Sequence, residues 1–137
     1  MNVTVQLHDG PIIAPIERTN AGAGAVVMFE GIVRMREQGR GISALDYHVY
    51  DPMAERELKR LADLITREFD LLAVTVMHSR GIVSVGQCSF RLVVAARHRK
   101  PALAAMDWFI DALKRDVPIW KHPIWATDSD IAAGEHP

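Results

Sequence analysis

Ala96-Arg-His-Arg-Lys-Pro101-Ala-Leu-Ala-Ala-Met-Asp-Trp-Phe-Ile-Asp-Ala-Leu-Lys-Arg-Asp-Val-Pro118-Ile-Trp-Lys-His-Pro-Ile-Trp125 decides the fold. Cationic residues sit at both ends of an apolar run. Leu103, Met106, Ile110, Leu113 and Val117 recur at steps of three and four, and Ala102, Ala105, Phe109 and Ala112 form a second row beside them. That spacing predicts one amphipathic helix with a wide buried face, with Asp107, Asp111 and Lys114 on the wet side. Pro101 suits a first helical turn, where a missing N–H costs nothing, and Pro118 stops the helix.

Working outward, most of the remaining chain alternates like β-structure. Val3, Val5 and Leu7 predict a first strand, and Ala25 to Arg34 is a strongly apolar one. Ile12 to Thr19, with two prolines, suits an edge strand or loop. Met35 to Gly41 reads as a mobile polar loop, and Leu45, Tyr47 and Val49 share one face of a further strand. Asp51-Pro52 predicts an N-cap followed by a proline at the first helical position, ahead of the stripe Leu58, Leu61, Ile65 and Phe69. Leu72 to His78, Ile82 to Val85 and Ser89 to Ala96 complete the strands, with a turn expected at Ser79 to Gly81. Strands outnumber helices and do not alternate strictly with them, so the expectation is a single α+β domain over residues 1–125 and a frayed tail over 126–137.

The chain has 137 residues, enough for one domain with a real core, and its net charge of −1 argues against a general nucleic-acid binder. No apolar run approaches the roughly 20 residues that span a bilayer, and the alternating, acid-bearing N-terminus does not read as a signal peptide. A cytoplasmic protein is expected. One cysteine, Cys88, rules out an internal disulfide, and the six histidines show neither close ligand pairing nor a cysteine pair, so no metal and no cofactor are expected. Gly22-x-Gly24 precedes a strand instead of following one, which does not suit a nucleotide loop. Cys88 reads as a small packed side chain.

Arg97-His98-Arg99 is more informative. Positive side chains where a strand gives way to a helix work against the helix dipole, so helix stability does not explain them. A solvated loop or a phosphate or carboxylate site does, the latter using the arginine fork. Arg34 could point to the same region. Lys114 and Lys121 flank Pro118-Ile119-Trp120, and a lysine held among Trp120, Pro123 and Trp125 would be partly desolvated and usable as base or nucleophile. A non-catalytic module binding an anionic ligand is the competing reading.

Val26-Val-Met-Phe29-Glu-Gly31-Ile-Val-Arg34, then Ser43-Ala-Leu45, Tyr50 and Met53-Ala-Glu55, Ala96-Arg-His98-Arg99, and Leu113-Lys114-x-x-Val117-Pro118-Ile119-Trp120-Lys121 together resemble the large, catalytic subunit of molybdopterin synthase, the MoaE family. The resemblance covers residues 24–121 in order. It implies an α/β hammerhead fold with a mostly antiparallel sheet and two main helices. The implied enzyme is a sulfurtransferase of molybdenum cofactor biosynthesis. It moves sulfur from the C-terminal Gly-Gly thiocarboxylate of a small ubiquitin-like subunit to cyclic pyranopterin monophosphate (precursor Z), making the molybdopterin dithiolene. The implied assembly is a heterotetramer built on a homodimer of large subunits. Carried over position by position, Lys114 and Lys121 would be catalytic. Arg34, His98 and Arg99, with Ile32, Val33 and His122, would bind substrate, and Phe29 and Met106 would shape the pocket. The chain departs from the family pattern at Met35 to Gln38, at Asp51-Pro-Met and at His122-Pro123.

A helix rises about 1.5 Å per residue, so His98 and Lys114 should stand roughly 20–25 Å apart, too far to touch one pterin from a single chain. The expectation is therefore a composite site, with His98 and Arg99 of one protomer facing Lys114 and Lys121 of its symmetry mate.

Overall fold

A computed structural model describes residues 2–15 and 22–127. Among these the order is β1 (Val3–Asp9), β2 (Ala25–Ile32), β3 (Arg36–Glu37), β4 (Arg40–Val49), α1 (Met53–Glu68), β5 (Ala73–Ser84), β6 (Cys88–Ala96), α2 (Arg99–Asp116) and β7 (Ile119–Trp125). The sheet is mixed but mostly antiparallel, and α1 and α2 lie together against it, as the α+β reading expects.

Most of the pairing converges on β5. Its first half runs parallel to β1, from Val3 opposite Val74 to Asp9 opposite Arg80, and antiparallel to β6 on its other side. Its second half pairs with β4, Leu45 opposite Val83 and Tyr47 opposite Gly81. The turn expected at Ser79 to Gly81 is instead a bend inside one strand. Gly81 takes φ +82°, a conformation open to glycine at little cost, and the ladder continues through it. β2 pairs antiparallel with β6 and ends the order on one side, while β7 pairs with β4 from Ile42 opposite Trp125 to Val49 opposite Ile119. The sequence reading missed β7, because Pro118 just before it, Pro123 within it and its exposed tryptophans mask the alternation.

Three further expectations are corrected. Met35 to Gly41 closes as a β3–β4 hairpin, with Gln38 and Gly39 at φ 53° and 76° supplying the two left-handed residues that a tight turn needs. Asp51 does not cap α1. Pro52 occupies the cap position without a side-chain cap bond, and the Asp51 carboxylate accepts from Arg80 at 2.9 Å. On α2 the alanine row, with Phe109 and Met106, is the buried face, whereas Leu103 is exposed and Ile110 and Leu113 are only partly covered. Small alanines let the helix backbone come close to the sheet, which pushes the longer row to the rim. The tail expected from Ala126 falls outside the described residues beyond Thr127.

The principal core lies between the helices and the β1–β5–β6–β2 part of the sheet. Leu58, Leu61 and Ile65 of α1 and Phe109 of α2 meet Val74, Val76, Leu92 and Val94. Phe109 stacks on Phe90 with ring centroids 6.4 Å apart. A smaller core of Val33, Ile42, Leu45, Tyr47 and Val83 fills the angle where β4 and β7 leave the main sheet. On the far face, Arg91 is buried, pairs with Glu30 at 3.1 Å and donates to the Ala14 carbonyl. Those bonds supply partners for a charge that would otherwise be costly to bury. No helix among the described residues is long and apolar enough to cross a membrane.

His78 is buried where the two parts of the sheet meet. Its Nδ1–H donates to the Ser79 carbonyl at 2.7 Å, and its ring meets Tyr47 edge-on. Burial holds its pKa below the ordinary 6.5, so the folded chain keeps it neutral while the unfolded chain protonates. Stability is therefore full above pH 6.5 and is lost as the pH falls below it toward the folded-state pKa. Unfolding free energies from urea titrations at pH 7 and pH 5 should differ by up to about 2 kcal/mol, and His78→Phe should flatten that difference. Phe109→Ala, which empties a fully buried site, should cost about 3–5 kcal/mol by urea unfolding at pH 7.

Candidate active site

Strand alternation sorts the residues of β7. Ile119, Lys121 and Pro123 share a side with their β4 partners Val49, Tyr47 and Leu45, toward the small core. Trp120, His122 and Ile124 stand on the outer side with His48, Asp46 and Ala44. Lys121 reaches Glu37 of the β3 hairpin, Nζ to Oε1 3.1 Å. Beneath it the Tyr47 hydroxyl donates to Ser89 Oγ at 2.8 Å, and Ser89 Oγ donates to the Gly31 carbonyl at 3.4 Å. Burial raises the Tyr47 pKa, with Ser89, Lys121 and Glu37 acting as smaller influences, so the phenol stays a donor. This chain of contacts ties Lys121 to the end of β2, from which Arg34 projects into solvent. Lys114 is exposed in the last turn of α2, shortly before β7 begins.

The second basic cluster lies at the opposite end. His98 is the N-cap of α2 in extended conformation, Arg99 and Lys100 open the helix, and the first turn carries no acid. The cluster is held by its neighbour Gly24, whose N–H donates to the Ala96 carbonyl at 3.0 Å. A Cβ at Gly24 would run into the Arg97 carbonyl oxygen, so only glycine permits this approach. Arg97 pairs with Asp70 at 3.1 Å. The side chains of His98, Arg99, Lys100, Arg34 and Lys114 are exposed and make no hydrogen bond or ion pair among the described residues. Unpaired cations at a helix N-terminus form a site of positive potential suited to an anion.

Two elements measure the gap between the ends. α2 runs 18 residues from Arg99 to Asp116, about 26 Å at 1.5 Å per residue. β2, whose Ala25 pairs with Ala96 and whose Ile32 leads to Arg34, spans 8 residues, about 23 Å at 3.3 Å per residue. One protomer thus brings Arg34, Lys114 and Lys121 toward one end and leaves His98 and Arg99 at the other.

Several expected site residues lie elsewhere. Val33 is buried in the small core, and its N–H and carbonyl are both bonded, to Gln87 and Gly86. His122 points to the outer face, opposite Lys121, and stacks on His48 with centroids 4.0 Å apart. Met106 is a core side chain, whereas Phe29 is part-exposed on β2 and touches Phe90. Ile32 is exposed. Lys121 is open to solvent and paired with Glu37, and is not desolvated by the tryptophans. Cys88 is buried beside Glu30, and burial, before the carboxylate, pushes its thiol to about 11. That suits packing and not nucleophilic attack. Among the described residues no group of three or more His, Cys, Asp or Glu side chains could hold a metal. Glu37, Tyr47 and Ser89 escape sequence reasoning, because only the cross-strand register brings them to Lys121.

The profile of the MoaE protein family matches residues 7–116. The molybdopterin synthase catalytic subunit of Homo sapiens is 35% identical over 106 residues, covering 77% of this chain and 56% of its own. The protein of that name from Staphylococcus carnosus is 38% identical over 106 residues, covering 77% of this chain and 71% of its own. The crystal structure of molybdopterin synthase from Staphylococcus aureus superposes with a TM-score of 0.76 at 30% identity, over 91% of this chain and 90% of that one. The chain spans about half the length of the mammalian relatives, 56% of the human and 51% of the rat protein. The matched stretch runs from β1 to the end of α2 and takes in most of the described fold, and the chain belongs to the MoaE protein family.

Proposed function

We propose that the chain is a molybdopterin synthase catalytic subunit, transferring sulfur in molybdenum cofactor biosynthesis from the C-terminal thiocarboxylate of a small ubiquitin-like partner to cyclic pyranopterin monophosphate. The observation that carries this reading is the pair of basic clusters, unpaired apart from Lys121 with Glu37 and Arg97 with Asp70, at the two ends of α2. A phosphate-bearing pterin and an anionic peptide terminus both need such cations. His98 and Arg99 of one protomer and Arg34 of the other hold the phosphate and pterin, the arginine forks meeting phosphate oxygens in pairs. Phe29 and Ile32 line the apolar side.

Lys114 and Lys121 face the thiocarboxylate and offset the charge that develops as sulfur leaves it. Lys121 exchanges its bond to Glu37 for one to the incoming terminus. In each transfer the C–S bond of the thiocarboxyl group breaks and a C–S bond replaces a C–O bond on the pterin side chain, the displaced oxygen staying on the opened phosphate at one carbon and leaving as water at the other, while water supplies the oxygen that returns the partner to a carboxylate. Two partners are consumed per dithiolene. One cysteine, unpaired and buried, needs no oxidising compartment, which supports a cytoplasmic location.

Incubation with thiocarboxylated small subunit and precursor Z should yield molybdopterin, measured by fluorescence of its oxidised derivative. Lys114→Ala and Lys121→Ala should each lower turnover by about 10²-fold or more with folding intact; unchanged turnover in both would reject the catalytic reading in favour of a simple anion-binding module. Because the site is shared, an equal mixture of Arg99→Ala and Lys114→Ala chains after subunit exchange should recover about a quarter of wild-type activity, since half the dimers then hold one intact site of two. No recovery would sink the composite site.

A further inference from the structure

Lys121 has a carboxylate partner within its own chain, Glu37, with Oε1 3.1 Å from Nζ. The two members of the pair are unequal. The side chain of Glu37 is 17% exposed and that of Lys121 is 51%. The carboxylate is the covered member, and the ammonium faces solvent. Glu37 is brought there by a very short hairpin. β3 has two residues, Arg36 opposite Gly41 and Glu37 opposite Arg40, and among the described residues it pairs with β4 alone. Two registered pairs are a weak attachment, so the hairpin is the part of this corner that moves at least cost.

A second cation stands across the hairpin. Arg40 is the cross-strand neighbour of Glu37, at the spacing where opposite charges attract. Its guanidinium is instead laid over Trp125, 4.3 Å from the ring centroid. Trp125 lies four positions beyond Lys121 on β7, and strand alternation puts both on one side. Glu37 therefore has one cation in use and another directly opposite. Turning from Lys121 to Arg40 keeps this largely covered carboxylate paired, whereas leaving it covered and unpaired would be costly.

We propose that Glu37 is an internal stand-in for the partner's C-terminal carboxylate. It holds Lys121 in place between encounters, yields it to an arriving terminus by turning to Arg40, and takes it back as the spent terminus leaves. The inference rests on the reading of Lys121 as a lysine that meets the terminus. No covalent bond changes in this step. One carboxylate replaces another on the same ammonium, so docking and release are both exchanges of like for like. That bears on turnover, because sulfur transfer leaves the partner with a carboxylate that a bare lysine would retain, and two partners pass through for each dithiolene. Glu37 is thus a positioning residue that acts through Lys121 and sets how readily the spent partner departs.

Fluorescence anisotropy with a labelled small subunit that ends in an ordinary Gly-Gly carboxylate measures the exchange. Glu37→Gln keeps the side chain's shape and removes the competitor, so it should lower the Kd about 5-fold and slow release of the labelled subunit to match. Arg40→Ala removes the fallback and should raise the Kd by a similar factor. An ion pair that merely braces the hairpin predicts weaker binding in Glu37→Gln, the opposite sign. Plain repulsion between Glu37 and an anionic terminus predicts the same gain from Glu37→Gln when Lys121 is alanine, whereas a stand-in acting through the lysine predicts no gain there. Binding unchanged or weakened by Glu37→Gln, binding unchanged or tightened by Arg40→Ala, or an equal gain in the Lys121→Ala background each overturns the proposal. If Glu37→Gln does not fold, Arg40→Ala decides alone. The reading beneath it is tested apart: Lys121→Ala with turnover and Kd both unchanged rejects the role of Lys121, and loss of turnover in Lys121→Ala with an unchanged Kd in Glu37→Gln rejects the stand-in alone.

Discussion

One strand belongs to two sheets, and the bend that allows it sets the positions of everything else. Up to His78, β5 is a central strand between β1 and β6 and carries the face on which both helices pack; beyond Gly81 it leads off into β4 and β7. A right-handed twist alone would carry the sheet on in one curve. The positive φ at Gly81 turns it instead, opening the angle that the small core fills. Arg80 braces the bend from outside by pairing with Asp9 and Asp51, one carboxylate from the end of β1 and the other from the approach to α1.

That architecture places the chemistry at its corners. The Lys121 corner is built from the second sheet and the hairpin. The basic corner is built from the return of β6 into α2. Their relation is fixed by β2 and α2, two rigid elements of nearly equal length lying side by side. A single chain therefore holds these two corners apart by the length of those elements. The isolated cations at each corner are costly only by mutual repulsion, since all are exposed, and an anion relieves that repulsion.

Much of the fold was legible because its signals were local. The stripe Leu58, Leu61, Ile65 announces α1, and Pro101 and Pro118 bracket α2 within two residues of its observed ends. What was not legible depended on partners distant in the chain. β7 contains Pro123, which reads as a breaker, yet the strand tolerates it because, among the described residues, no strand pairs along its outer edge. Asp51 looked like a cap because nothing nearby in sequence competes for it; Arg80 does so from 29 positions away. The site behaved the same way. Arg34, His98, Arg99, Lys114 and Lys121 were visible as charges without a structural purpose. Val33 lies in the small core and His122 on the face opposite Lys121, because a strand sends neighbours to opposite sides; neither placement was visible without the register.

Gly24 leaves a different kind of mark. The location of the basic corner is decided by a carbonyl seated against a missing side chain, not by the charges it displays. Position and chemistry are thus under separate control. His98 or Arg99 can be exchanged without moving the backbone, so ligand preference can drift by substitution at the surface. Position 24 has no such latitude, and in a lineage that tried other residues there the corner itself would shift, whatever its charges were.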